Sequence, residues 1–174
     1  MPRISVDPAA ESERRLIEGL FHFYIYDFAE MYGPGGDFHV GADGLYEPYP
    51  HLGSFWQEPD RRPFLIRVDG KTAGFVLLNR VSHLGAEIDH AVSEFFVLRP
   101  FRRCGAGAAA ARWVFRTFSG RWELAIAAPN AVARRFWPAV VAATPGVCDI
   151  RSVDLDETRQ SRRILSFTVE QRAV

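Results

Sequence analysis

The 174-residue chain contains two cysteines, Cys104 and Cys148, and a single lysine, Lys71. Two cysteines are too few for a disulfide framework, and they lack the spacing of a metal site. No apolar run approaches the roughly 20 residues that a membrane helix needs, so no membrane association is expected. The first ten residues include Asp7 and no apolar core of a signal peptide, which makes a cytoplasmic location the expectation. Excess positive charge is absent as well: 21 basic residues balance 21 acidic ones. Without a basic surplus or a nucleic-acid motif, nucleic-acid binding is not expected. A hydrophobic fraction of 48% and a charged fraction of 24% describe an ordinary globular chain, long enough for one domain, residues 1–174, with its own core.

Charge of one sign is also missing locally. Between Arg15 and Arg61 there is no Lys or Arg, while Asp27, Glu30, Asp37, Asp43, Glu47, Glu58 and Asp60 fall in that stretch. Between Glu94 and Glu123 there is no acid, while Arg99, Arg102, Arg103, Arg112, Arg116 and Arg121 fall there. One segment suits a cationic partner and the other an anionic one; a solvated surface is the plainer reading of each single charge.

Periodicity and punctuation divide the chain into elements. A short strand is expected around residues 3–6. Asp7 and Pro8 then read as an N-cap and a first helical position. Leu16, Leu20, Phe21, Tyr24 and Phe28 recur at helical steps, ending near Tyr32 before Gly33-Pro34-Gly35-Gly36. Residues 33–60 read as a long loop with a short helix, and its aromatics, where exposed, favour a homodimer. Strands are expected at 64–68 and 72–81 around an Asp69-Gly70 turn, then at 91–98, 122–127, 148–153 and 164–169. Helices are expected at 105–118 and 131–142. Hairpins flanking a central β-α-β unit imply an α/β (α+β) fold: a single mixed, mostly antiparallel sheet with helices on its faces.

The segment after Glu94 carries most of the chemistry. A strand ends, Arg99, Arg102 and Arg103 follow, and Gly105 and Gly107 open a helix. A helix N-terminus has N–H groups without intrahelical partners and a dipole that favours anions. Glycines let a phosphate approach that backbone closely, and arginines add charge. Three readings fit these residues. Gly105 and Gly107 serve only a tight turn and helix packing, or they belong to a dinucleotide site of an oxidoreductase, or they hold a nucleotide-bearing thioester. The dinucleotide fingerprint requires its first glycine at the strand end, whereas residues 99–104 intervene here, and its acid should close the next strand, which Glu123 opens.

Arg102-x-x-Gly105-x-Gly107 after a strand resembles the signature of GNAT N-acetyltransferases. Asn130-Ala131-Val132-Ala133-Arg134-Arg135-Phe136-Trp137 is similar to their second segment, N-x-x-A-x-x-[LF]-Y, in the expected order and spacing. The resemblance covers nearly the whole chain and implies the GNAT fold. It implies acetyl-CoA as cosubstrate and an amine acceptor. Main-chain groups of Phe96, Val97 and Leu98 would pair with the pantetheine arm. The loop Arg102, Arg103, Cys104, Gly105, Ala106, Gly107 and Ala108 would hold the pyrophosphate, and Asn130 and Phe136 would line the other side. Trp137 departs from the family's tyrosine, which donates a proton to the leaving thiolate. Indole N–H can donate a hydrogen bond but is no useful acid, so that step does not carry over. Water or another tyrosine (Tyr24, Tyr26, Tyr46 or Tyr49) would deliver the proton.

Acetyl transfer needs a neutral amine. For a lysine-like amine of pKa about 10.4, deprotonation at neutral pH costs about 4.6 kcal/mol. A carboxylate beside the acceptor can bind the ammonium and relay its proton. Glu94 is the first candidate, sharing a strand face with Phe96 and Leu98 unless a bulge changes the parity. A structural acid is the competing reading, and Glu58, Glu30 and His90 are weaker candidates. The expected function is acetyl transfer to a small cationic amine; the alternative is a non-catalytic acyl-CoA-binding or sensing module.

Overall fold

The computed structural model describes residues 2–156 and 161–171. Seven strands form one sheet in the order β1-β2-β3-β4-β5-β7-β6. They are β1 (Ile4–Pro8), β2 (Arg62–Val68), β3 (Lys71–Asn79), β4 (His90–Val97), β5 (Gly120–Ala127), β6 (Val147–Leu155) and β7 (Arg162–Val169). Three helices accompany them: α1 (Arg14–Tyr32), α2 (Ala106–Thr117) and α3 (Ala131–Ala142). Every neighbouring pair is antiparallel except β4 and β5, the two strands joined through α2.

Alternation along the strands gives the sheet two apolar faces. Leu65, Phe75, Leu77 and Phe96 meet Ile17, Leu20 and Phe21 of α1 on one face. Phe64, Ile66, Val76, Leu78, Val92, Trp122, Leu124 and Ile126 meet α2 and α3 on the other. Phe75 is wholly buried, and a Phe-to-Ala change at such a site costs about 3–5 kcal/mol.

Local chemistry explains most boundaries. Asp69 and Gly70 both take positive φ (49° and 76°), as a tight hairpin turn between twisted strands requires. Asn130 caps α3 by accepting from Ala133 N–H at 2.9 Å. The start of α1 differs from the sequence expectation. Asp7 and Pro8 belong to β1, and α1 begins at Arg14 after a 3-10 turn, Glu11–Glu13. Asp7 caps no helix; its carboxylate accepts from Ser5 Oγ and Arg67 instead. Leu16 also differs from expectation. It lies 40% exposed, and Ile17 begins the inward series. The strands β6 and β7 extend into the connection expected between them, of which residues 157–160 lie outside the described residues.

Candidate functional site

Two irregularities in β4 create the site. A bulge falls at Ser93: Leu77 opposes Glu94 while Leu78 opposes Val92. The extra residue reverses parity, so Val92 faces α2 and α3 whereas Glu94 and Phe96 face α1. Leu98 packs on the same side as Phe96. Glu94 therefore does share a face with Phe96 and Leu98, with the bulge just before it. The second irregularity is a parting of strands. β4 and β5 pair only at His90–Val92 with Trp122–Leu124, after which β5 continues against β7 alone. Leu98 N–H donates to Ala73 O on β3, so alternation turns the main chain of Phe96 and Leu98 toward β3 and that of Phe95 and Val97 toward the opening.

On the α1 face, Glu94 is half-buried among aromatic rings. Tyr24 of α1 donates its hydroxyl to Glu94 Oε2 at 2.5 Å. Tyr49, from the long loop, stacks on Phe21 and lies 3.4 Å from Ser93 Oγ through its hydroxyl. Tyr24 also meets Phe96 and Phe75 edge-on. Burial pushes the Glu94 carboxyl up to about 7, against the opposing pull of hydrogen bonds from Tyr24 and Tyr49. Burial and the adjacent Glu94 raise both tyrosines above their ordinary value. Each tyrosine is thus a hydrogen-bond donor that holds its proton, a role different from the proton delivery considered for Tyr24 and Tyr49 from the sequence.

At the far end of β4 a 3-10 turn, Arg99–Phe101, leads into a tight loop. Arg103 and Gly105 both take left-handed φ (61° and 88°), and Gly105 is the N-cap of α2. Ala109 N–H donates to Gly105 O, the first main-chain bond into the helix. The N–H groups from Arg103 to Ala108 reach no acceptor among the described residues. Six such groups around a concave turn and a helix N-terminus form an anion-binding arrangement. The Arg103 side chain is exposed and also without a partner among the described residues. Cys104 is exposed, its thiol directed to Phe101 O.

Arg102 is held elsewhere. Its Nε donates to Val97 O at 2.6 Å, its guanidinium pairs with Asp27, and it lies 5.5 Å over the Phe96 ring. Arg99 binds Asp27 and Glu30. Glu58 pairs with Arg61 at 2.6 Å, and Asp60 with Arg80 at 3.4 Å. The one-signed acidic segment expected from the sequence is therefore largely neutralised; Asp37, Asp43 and Glu47 are its acids outside ion pairs among the described residues. Glu30 and Glu58 lose standing as bases for the same reason. His90 sits at the opposite end of β4, its ring tilted against Trp122 at 4.7 Å, with Nε2 at 3.2 Å from Ser119 O.

The α2/α3 side of the opening is aromatic. Phe95 lies 5.0 Å from Trp137 and 6.0 Å from Phe136. A Cβ on Gly107 would stand 3.5 Å from the Phe136 ring, an ordinary contact. Gly107 thus brings the start of α2 close to the Phe136 and Phe95 rings. Trp137 is buried against Phe95, Phe115 and Phe136, and its indole N–H donates to none of the described residues. Asn130 contributes its side chain to the α3 cap. No group of residues suited to a metal ion occurs among the described residues, and no helix there is long and apolar enough to cross a membrane.

Comparison with known proteins bears on this arrangement. The Acetyltransferase (GNAT) family matches residues 25–139. No curated protein matches the chain. Among solved structures, an acetyltransferase from Thermus thermophilus is 17% identical, with a TM-score of 0.62 over 92% of this chain and 95% of its own. The ribosomal-protein-S18-alanine N-acetyltransferase from Escherichia coli is 15% identical, with a TM-score of 0.56 over 98% and 97%. A dodecameric spermidine N-acetyltransferase from Vibrio cholerae is 9% identical, with a TM-score of 0.56 over 95% and 93%. At these identities the likeness to each structure is one of fold.

Proposed function

This chain belongs to the GNAT acetyltransferase family, and from that premise we propose that it transfers the acetyl group of acetyl-CoA to an amine brought to Glu94. One observation carries the reading: β4 holds a half-buried carboxylate facing α1 and then, at Val97, a main-chain N–H turned to the opening, and the loop that follows β4 leads straight into the N–H array from Arg103 to Ala108. The array suits a pyrophosphate, with the Arg103 side chain free to add charge. Val97, whose carbonyl accepts from Arg102, offers its main-chain N–H to an extended pantetheine arm that runs beside Gly107 and Phe136, and Asn130 acts by positioning α3. Acetyl-CoA supplies a thioester carbonyl that a neutral amine can attack. The protein's own part is to orient the amine and to take its proton.

Glu94 is suited to that proton transfer. A base whose pKa lies near 7 is about half ionised at neutral pH, the balance of availability and basicity that general-base catalysis favours. Tyr24 and Tyr49 fix its orientation. The acceptor that fits is a small amine with one cationic nitrogen: Glu94 supplies one carboxylate, the aromatic rings of Tyr24, Tyr49 and Phe96 supply walls, and Asp27, Glu30, Glu58 and Asp60 are already ion-paired. Release of coenzyme A thiol, measured with acetyl-CoA against a panel of monoamines and polyamines, tests this directly. The proposal expects turnover with monoamines and little dependence on ionic strength.

Trp137 supports one second reading, a non-catalytic acyl-CoA-binding module, because neither it nor the proton-holding Tyr24 and Tyr49 is a ready acid for the leaving thiolate. Tight acetyl-CoA binding with no thiol release from any amine would favour that reading.

A further inference from the structure

The outward face of α1 presents an apolar stripe that nothing in the described fold covers. Leu16 (40% exposed), Phe23 (58%) and Tyr26 (59%) lie along it, with Gly19 between Leu16 and Phe23. The spacing of three, four and three residues keeps all four within one arc of the helix, turned away from Ile17, Leu20 and Phe21, which contact the sheet. Gly19 has no evident reason within the chain to be glycine. A Cβ there would meet nothing within 4 Å, its φ is not in the left-handed region, and glycine inside a helix is destabilising relative to alanine.

The stripe is complementary to itself. Leu16 and Tyr26 are equidistant from the level of Phe21, and so are Gly19 and Phe23. Two copies of α1 packed antiparallel about a two-fold axis at that level bring Phe23 of each over the hollow at Gly19 of the other, and Leu16 against Tyr26. That is the isologous pattern a two-fold interface demands, with each contact made twice. Charge agrees with it. Arg15 is exposed and has no partner among the described residues, and in this register it comes within one turn of Glu30 of the second copy. The Glu30 carboxylate stays 65% exposed despite Arg99. We propose that the chain forms a two-fold dimer through the Leu16, Gly19, Phe23 and Tyr26 face of α1, with the ring of Phe23 seated over Gly19 of the second copy.

Sedimentation equilibrium across a concentration series, on the full chain and two variants, tests the dimer. Wild type is expected to be a dimer. Phe23→Glu and Gly19→Gln each place a polar group in the seat without touching the sheet-facing side of α1. Each is expected to raise the dimer dissociation constant roughly 100-fold or more, since a two-fold interface loses every contact twice. Far-ultraviolet circular dichroism checks that each variant folds, and either one alone decides the matter. A monomeric wild type overturns the proposal. So does a dimer that persists unchanged in a folded variant, because its interface would then lie elsewhere.

Discussion

The Tyr24 hydroxyl donates to Glu94 Oε2 at 2.5 Å, tying α1 to the bulged centre of β4. The bond favours the ionised carboxyl and so counteracts burial, the main cause of the raised Glu94 pKa. Tyr24→Phe removes it. The expected outcome is an acidic limb of the kcat/KM profile displaced to higher pH, with a several-fold loss of rate below neutrality and recovery above the displaced limb. A Tyr24→Phe profile that overlays wild type would mean the hydroxyl does not act on the base.

The same burial predicts a pH dependence of stability. The folded pKa of Glu94 lies above its unfolded value. Its contribution is therefore fully present below about pH 4.5 and lost as pH rises through about 7. The loss is at most about 3 kcal/mol, and it should be missing in Glu94→Gln. Denaturant unfolding of both proteins across this range measures it; parallel stability profiles would contradict the burial argument.

Much of this architecture is legible in the sequence where local chemistry decides it. Asp69-Gly70 announces its hairpin because few other residues take left-handed φ so readily, and Asn130 announces α3 because its side chain can cap an N–H. The loop from Arg102 to Gly107 is legible for the same reason. What depends on contacts distant in sequence is not. Asp27 reads as a free acid until the fold brings Arg99 and Arg102 to it, and Arg102 reads as a phosphate ligand until Val97 O and Asp27 claim it. The bulge at Ser93 has no glycine or proline to mark it, yet it sets the face on which Glu94 lies. Asp7-Pro8 has the chemistry of a helix start, but pairing of β1 with β2 overrides it.

Gly107→Ala separates cofactor binding from folding. The added methyl makes only an ordinary contact with Phe136, and alanine in a helix is favoured over glycine by about 0.5–1 kcal/mol. The thermal midpoint should hold or rise. If the cofactor arm runs against Gly107, acetyl-CoA affinity measured by calorimetry should fall about tenfold, or about 1.4 kcal/mol. Unchanged affinity would place the arm elsewhere.

Trp137→Phe tests whether the indole N–H takes part. Trimming a buried aromatic of this kind should destabilise the fold by about 1–3 kcal/mol. Turnover should remain measurable, with no basic limb lost from the pH profile. A folded variant that binds acetyl-CoA and is inactive would show that the indole N–H stabilises the leaving thiolate directly.

The most direct test of the central claim is thiol release by Glu94→Gln, set beside acetyl-CoA affinity in the same protein. The substitution keeps size and a hydrogen-bonding oxygen for Tyr24 but removes the base. Affinity should be unchanged, kcat/KM should fall by about 100-fold or more, and the acidic limb near pH 7 should disappear. A variant with wild-type kcat/KM and the same limb would contradict the account and move the base away from β4.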